Sequence, residues 1–289
     1  MSAQHTTPSG GHAPGFRAIR FNMDWITRPL FGFLLAVFAI TVVASGAEAF
    51  ACVLALGAIL GAREWHRCVG AVEDVNREML VTGVTVALSE AGLLYFHLFW
   101  VGAVLAVAGA VAAFILAKGK NPGWQSAGTL YLALPALALV SLRAFPAQGF
   151  WIVIGLFLIV WSTDTGALIC GNLIGGPRIA PRLSPGKTWA GTIGGSVIAA
   201  LIYAAYAGYF WHADFLQAAP FAFAFSFTAH GGDLFESFVK RRFGLKNSGS
   251  AIPGHGGILD RMDSTLAAAP VMALLVFVAH FNPLFGAHA

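Results

Sequence analysis

From residue 29 to residue 281 the chain alternates long apolar stretches with short polar breaks. An α-helix needs roughly 17 to 25 residues to cross about 30 Å of hydrocarbon. Runs of that order lie near 29–46, 48–62, 79–96, 98–117, 124–142, 149–172, 188–209, 218–238 and 262–281. The pattern predicts an all-α, polytopic integral membrane protein with about nine transmembrane helices. The second run is short and could close a tight hairpin with the first. Residues 1–24 are polar and contain Gly and Pro, with no short apolar core ahead of a small-residue cleavage site. They read as a disordered tail passing into an interfacial segment, not as a signal peptide. Residues 25–289 are then expected to form a single transmembrane domain.

Composition supports the bilayer as solvent. Of the 289 residues, 57% are hydrophobic and only 10% are charged, with a mean hydropathy of +0.74. Soluble domains carry about 25% charged residues, so this chain has too little polar surface to face water all round. Cys52, Cys68 and Cys170 show no paired spacing, and are read as packing residues rather than disulfides or a zinc site. Charge sets the orientation. With nine spans and a cytoplasmic N-terminus, every one of the 17 Lys and Arg residues except Arg143 falls on the cytoplasmic side, a strong positive-inside bias. Trp25, Trp100, Trp124, Trp151, Trp189 and Trp211 fall near span ends, as an interfacial belt requires. The first five spans read as bland; the last four hold most of the unusual polar residues.

Acids at membrane depth are costly unless paired or hydrated, and so mark function. Asp164 and Asp233 lie in the cytoplasmic halves of the sixth and eighth spans, and Asp260 and Asp263 lie where the ninth meets the same side. Four carboxylates at one depth predict a polar cavity open to the cytoplasm. Asp260 and Asp263 share a helix face at i,i+3, a spacing that lets two carboxylates serve one hard cation such as Mg²⁺. Asp233, Ser237 and Lys240 or Arg241 share a face of the eighth helix, and the glycines of "HGGD" before Asp233 allow close approach. Glu236 and Lys240 fit a plain i,i+4 ion pair, and Glu90 fits buried structural hydrogen bonding.

Two Gly-rich basic segments flank these acids. "CGNLIGGPRIAPRLSPGKTWAG", residues 170–191, contains "GKT", but Pro181 stands where a nucleotide P-loop needs Gly. What remains is a short loop with Arg178, Arg182 and Lys187, and Thr188 just before a helix, a natural anion site. The second, "KNSGSAIPGHGGILDRMD", residues 246–263, holds His255 in a Gly-rich turn before the paired acids. With Lys240, Arg241 and Arg242 nearby, it alternates cations suited to phosphate with anions suited to metal.

These residues resemble the signature of the phosphatidate cytidylyltransferases (CDP-diacylglycerol synthases). The match runs through Ser237, Lys240-Arg241, Lys246, Gly249, Ile252-Pro253, His255-Gly256-Gly257, Ile258, Asp260-Arg261 and Asp263, and departs at Asn247, where the family has Asp. "WSTDTGALICG" and "SPGKTWAG" resemble a second conserved region, so the motifs cover residues 161–264. The resemblance implies transfer of the CMP moiety of CTP to phosphatidic acid, giving CDP-diacylglycerol and pyrophosphate for phospholipid biosynthesis. It also implies Mg²⁺ with a second, monovalent cation such as K⁺, a homodimer, no nucleic-acid partner, and a bacterial inner membrane with the site facing the cytoplasm. By motif position Asp233, Asp260 and Asp263 are the metal candidates, and with Lys240, Arg241 and His255 the catalytic ones. Asp164, Ser184, Lys187, Thr188, Ser237, Lys246, Gly256, Gly257 and Arg261 are the substrate-binding candidates. A cation-coupled transporter, or a cytidylyltransferase for another lipid phosphate, is the alternative reading; the absence of a visible internal repeat weighs against the transporter.

Overall fold

The computed structural model describes residues 24–70, 76–117, 121–245 and 257–285. Among them are α1 (Asp24–Ala44), α2 (Ala47–Gly70), α3 (Asn76–Phe96), α4 (Phe99–Leu116), α5 (Pro122–Ala144) and α6 (Gly149–Ile174). A hairpin of β1 (Arg178–Ala180) and β2 (Ser184–Thr188) then leads into α7 (Trp189–Trp211), α8 (Phe215–Arg242) and α9 (Leu259–Phe277). Each apolar run of the sequence thus corresponds to one helix. Of these, α3 to α7 are long and apolar enough to cross a membrane by length and composition. The chain forms two compact units, residues 1–39 and 40–289; everything below concerns the second.

The helix ends follow local chemistry. Pro122 occupies the first turn of α5, where its missing N–H costs nothing. At the start of α7 the Thr188 hydroxyl accepts from Gly191 N at 3.1 Å, an ordinary N-cap. The Asp214 carboxylate does the same for α8 through Leu216 N at 2.9 Å. Arg143, the one cation expected on the far side, donates from Nε to Val43 O at 2.7 Å and so satisfies a carbonyl at the end of α1.

Segment 170–191 is not the simple loop that the sequence suggests. Its first residues complete α6, and residues 178–188 pair as an antiparallel hairpin with Arg178 opposite Thr188 and Ala180 opposite Ser184. Strands of three and five residues are too short to leave a periodic signal. "GKT" lies at the end of β2, which runs straight into α7, so no phosphate-wrapping P-loop forms.

Small residues set the packing of α6 to α9, each helix antiparallel to the next. A Cβ on Gly195 would stand 2.5 Å from Thr163 O, and one on Gly191 would stand 2.8 Å from Ala167 O. Backbones that approach this closely are the device by which helices associate in lipid, where apolar burial supplies no drive. Ser226 donates to Ser196 Oγ at 2.6 Å between α8 and α7. A Cβ on Gly232 would stand 2.4 Å from Asp263 O, so the second glycine of "HGGD" is where α9 meets α8, while Gly231 faces open space. Large apolar side chains cover outer faces, with Leu173 82% and Trp100 75% exposed.

The first five helices are less bland than their hydropathy implies. His66, fully buried on α2, meets Gln125 Oε1 of α5 at 2.5 Å through Nδ1 and Thr82 Oγ1 of α3 at 2.8 Å through Nε2. Thr82 in turn meets Thr129 at 2.9 Å. Trp65 donates to Trp124 O at 2.8 Å, its ring filling the space that a Cβ on Gly128 would take. A hydrogen-bonded brace therefore joins α2, α3 and α5.

Candidate active site

The antiparallel order of α6, α7, α8 and α9 carries one residue after another to a common level. On α6, Asp164 is exposed, and its Oδ1 accepts from the Ser264 hydroxyl of α9 at 3.3 Å. The β2 strand brings Lys187 over α8, where Nζ stands 2.5 Å from Asp233 Oδ2. That contact is a charge pair out of hydrogen-bond line, so the buried ammonium keeps spare donors. The Ser237 hydroxyl, one turn along α8, lies 3.5 Å from Asp233 Oδ1.

A second cluster lies one to two turns further along α8. Lys240 reaches Glu236 Oε2 at 3.1 Å, the expected i,i+4 pair, and also Asp260 Oδ1 on α9 at 2.5 Å. The other oxygen of Asp260 accepts from Gly257 N at 3.1 Å. Lys240 lies beyond the expected end of its span. Burial alone would lower its pKa, but the carboxylates of Asp260 and Glu236 outweigh this and raise it above the ordinary lysine value. It therefore stays an ammonium at neutral pH.

Asp263 is 7% exposed and Glu236 is 2% exposed, and the two carboxyls lie within electrostatic reach of each other across the α8–α9 contact. Asp263 Oδ1 also accepts from Ser264 N at 2.7 Å. The Gly232 contact makes this approach possible, because any side chain there would push the two acid-bearing helices apart. The site is thus where α6, β2, α8 and α9 meet, with acids and lysines in contact across the elements.

The structure brings together Asp164, Lys187, Asp233, Ser237, Lys240, Asp260, Asp263 and the Gly257 amide. Other candidates are held differently. Thr188 spends its hydroxyl on the α7 cap. Arg241 is exposed and donates to Leu183 O at 3.3 Å and Leu245 O at 3.0 Å, so it ties the hairpin to the end of α8. Ser184 pairs along the hairpin opposite Ala180, and Arg261 is exposed. Lys246, Asn247, His255 and Gly256 lie outside the described residues.

Three contributors escape a reading of the sequence, and a fourth, Glu236, is read only in part. Glu236 is more than half of an ion pair, because it also faces Asp263. His230, buried on α8, lies 3.2 Å from Thr192 O of α7, next to "GGD". The Tyr131 hydroxyl of α5 is enclosed with no hydrogen-bond partner among the described residues, within electrostatic reach of Asp263, Glu236 and Asp233. Glu64 of α2, in the polar exit "GAREWHR", accepts from Ile258 N and Leu259 N at 2.9 Å each. Only His230 carries a local signal, its place beside the glycines; the others depend on which helices meet.

Magnesium can be tested against this donor set. Among the described residues, no three His, Cys, Asp or Glu side chains gather into one metal shell. The donors present are hard carboxylate oxygens, and both Asp233 and Asp260 already hold a lysine ammonium at 2.5 Å. Carboxylates that attract cations this closely suit Mg²⁺, which takes one or two of them and completes its shell with substrate phosphates and water.

Comparison with known proteins decides the family. Residues 26–279 match the model of the cytidylyltransferase family. The chain belongs to that family. It is 40% identical over 203 residues to the phosphatidate cytidylyltransferase of Brucella suis, covering 68% of this chain and 70% of that protein. The phosphatidate cytidylyltransferase of Pseudomonas aeruginosa is 37% identical over 243 residues, covering 78% of this chain and 88% of the relative. That of Rickettsia bellii is 33% identical over 182 residues, covering 61% and 78%. The family match takes in all the site residues of α6, β2, α8 and α9.

Proposed function

We propose that this protein transfers the CMP moiety of CTP to phosphatidic acid, forming CDP-diacylglycerol and pyrophosphate. The observation that carries the reading is the presence of the Lys187–Asp233 and Lys240–Asp260 pairs along one face of α8 in a membrane protein whose relatives are named for this reaction. One substrate dissolves in lipid and the other in water, so a site among membrane helices is where both can arrive.

The chemistry asks for positioning and charge neutralisation more than for covalent help. The phosphatidate phosphate, already ionised at neutral pH, attacks the α-phosphorus of CTP; the new P–O bond forms as the bond to pyrophosphate breaks. One or two of Asp233, Asp260 and Asp263 would hold Mg²⁺, with substrate phosphates and water completing its shell, and the bound ion would offset the negative charge of the phosphates. Lys187, with donors to spare, binds a phosphate oxygen at the hairpin side. Lys240 binds at the α9 side while holding Asp260 in place. Arg261, and by their place in the family signature Lys246, His255 and Gly256, are further candidates for binding phosphate. A monovalent cation such as K⁺ would take a second position among the acids.

The proposed topology is nine spans with a cytoplasmic N-terminus, which would put the site at the cytoplasmic face of a bacterial inner membrane, where CTP is available. The distribution of Lys and Arg supports this orientation, and a homodimer is the proposed assembly. The test is turnover by the purified protein in phosphatidate-containing bilayers, with other nucleotides and other lipid phosphates as competitors. Mg²⁺-dependent formation of CDP-diacylglycerol, lost on chelation, is the expected result. Preference for another lipid phosphate would redirect the substrate assignment, and metal-independent turnover would overturn the role of the acids.

A further inference from the structure

The start of α9 carries Asp260, and one turn on Asp263, so its position sets the position of both. This helix has no cap of its own. Ile258 stands at the N-cap with helical φ and ψ of −69° and −40°, and its side chain offers no hydrogen bond. The first N–H groups of a helix need an acceptor when they are buried. Here the acceptor comes from 194 residues away: Glu64 of α2 takes Ile258 N on Oε1 and Leu259 N on Oε2, both at 2.9 Å. Glu64 is 5% exposed. A buried carboxylate this deep in an apolar protein is retained only when its oxygens are well occupied, and a negative charge at a helix N-terminus is the favourable sign.

Glu64 itself is held rigidly. The next two residues of α2, Trp65 and His66, are the ones bonded to Trp124 O and Gln125 of α5, with His66 reaching Thr82 of α3 as well. A Cβ on Gly61, one turn before Glu64, would meet Leu259 Cδ2 at 3.3 Å, so α2 and the start of α9 are already in close contact. The brace of α2, α3 and α5 thus ends in a carboxylate that grips the first turn of the acid-bearing helix.

We infer that Glu64 is a positioning residue for the transfer reaction: it anchors the N-terminus of α9 to the α2–α5 brace and thereby fixes Asp260 and Asp263 relative to Asp233. The inference rests on the proposed function for its catalytic consequence. Its structural part stands on the two hydrogen bonds alone. A misplacement of about 1 Å at a reacting centre can cost about a hundredfold in rate.

The test uses the full chain in lipid bilayers with Glu64→Gln, which has nearly the same shape but can accept only one of the two amides, and Glu64→Asp, which keeps both acceptors on a shorter stem. Amide hydrogen exchange at Ile258 and Leu259 and steady-state kinetics are read together. Glu64→Gln should speed exchange at those two amides while α7 stays protected as in the parent protein. It should lower kcat by about ten- to a hundredfold with KM for CTP within about twofold, and Glu64→Asp should recover part of both effects. Unchanged exchange at residues 258 and 259, an unchanged kcat, or loss of protection throughout α6 to α8 would each overturn the inference. If the parent protein makes no CDP-diacylglycerol, the function assignment fails, while the exchange result still judges the anchor.

Discussion

At the scale of single residues, two acids of the proposed site each pair with a lysine that a phosphate could share. Asp233 meets Lys187 and Asp260 meets Lys240, each at 2.5 Å. Changing Asp233 to Asn keeps the shape but removes the charge that attracts both Lys187 and a metal. The expected outcome is a loss of at least about a hundredfold in kcat with the same melting temperature within a few degrees, measured on one detergent-purified sample. The aspartates were legible in the sequence because an ionisable group at membrane depth is costly unless paired or hydrated, and the lysines because they stand in basic segments beside them. Their partners were not. Lys187–Asp233 joins residues on different elements, and Arg241 sits beside Lys240 in the motif yet turns to backbone carbonyls of the hairpin and of the end of α8. Adjacency in a motif does not fix the direction of a side chain on a helix.

At the scale of elements, α6 to α9 depend on glycines that let backbones touch. Gly195 lies against Thr163 O, and Gly232 lies against Asp263 O. Gly195→Ala would insert a methyl 2.5 Å from that carbonyl. Overpacking of this kind costs about 1–3 kcal/mol, so the thermal midpoint should fall while an exposed control, Gly231→Ala, leaves it unchanged. Helix positions were readable from hydropathy alone, since each apolar run is long. The hairpin of residues 178–188 was not, because its strands are short and its sequence is shaped by Pro, Gly and Arg. The brace around His66 was hidden for another reason: Thr82, Gln125 and Thr129 look like scattered polar residues until three helices are brought together.

At the scale of the whole molecule, the N-terminal helices form more than a lipid-facing frame. The brace of α2, α3 and α5 hands its rigidity to α9 through Glu64, and α9 meets α8 at the acids. That arrangement suits an enzyme whose lipid substrate enters from the bilayer and whose nucleotide enters from water. The most direct measurement of the central claim supplies phosphatidate in bilayers with CTP labelled at the α-phosphorus, and in parallel with CTP labelled at the γ-phosphorus. The account predicts that the α-label enters the lipid fraction as CDP-diacylglycerol and the γ-label leaves as pyrophosphate, with neither seen for Asp233→Asn. Entry of the γ-label into lipid, or full α-label transfer by Asp233→Asn, would contradict it.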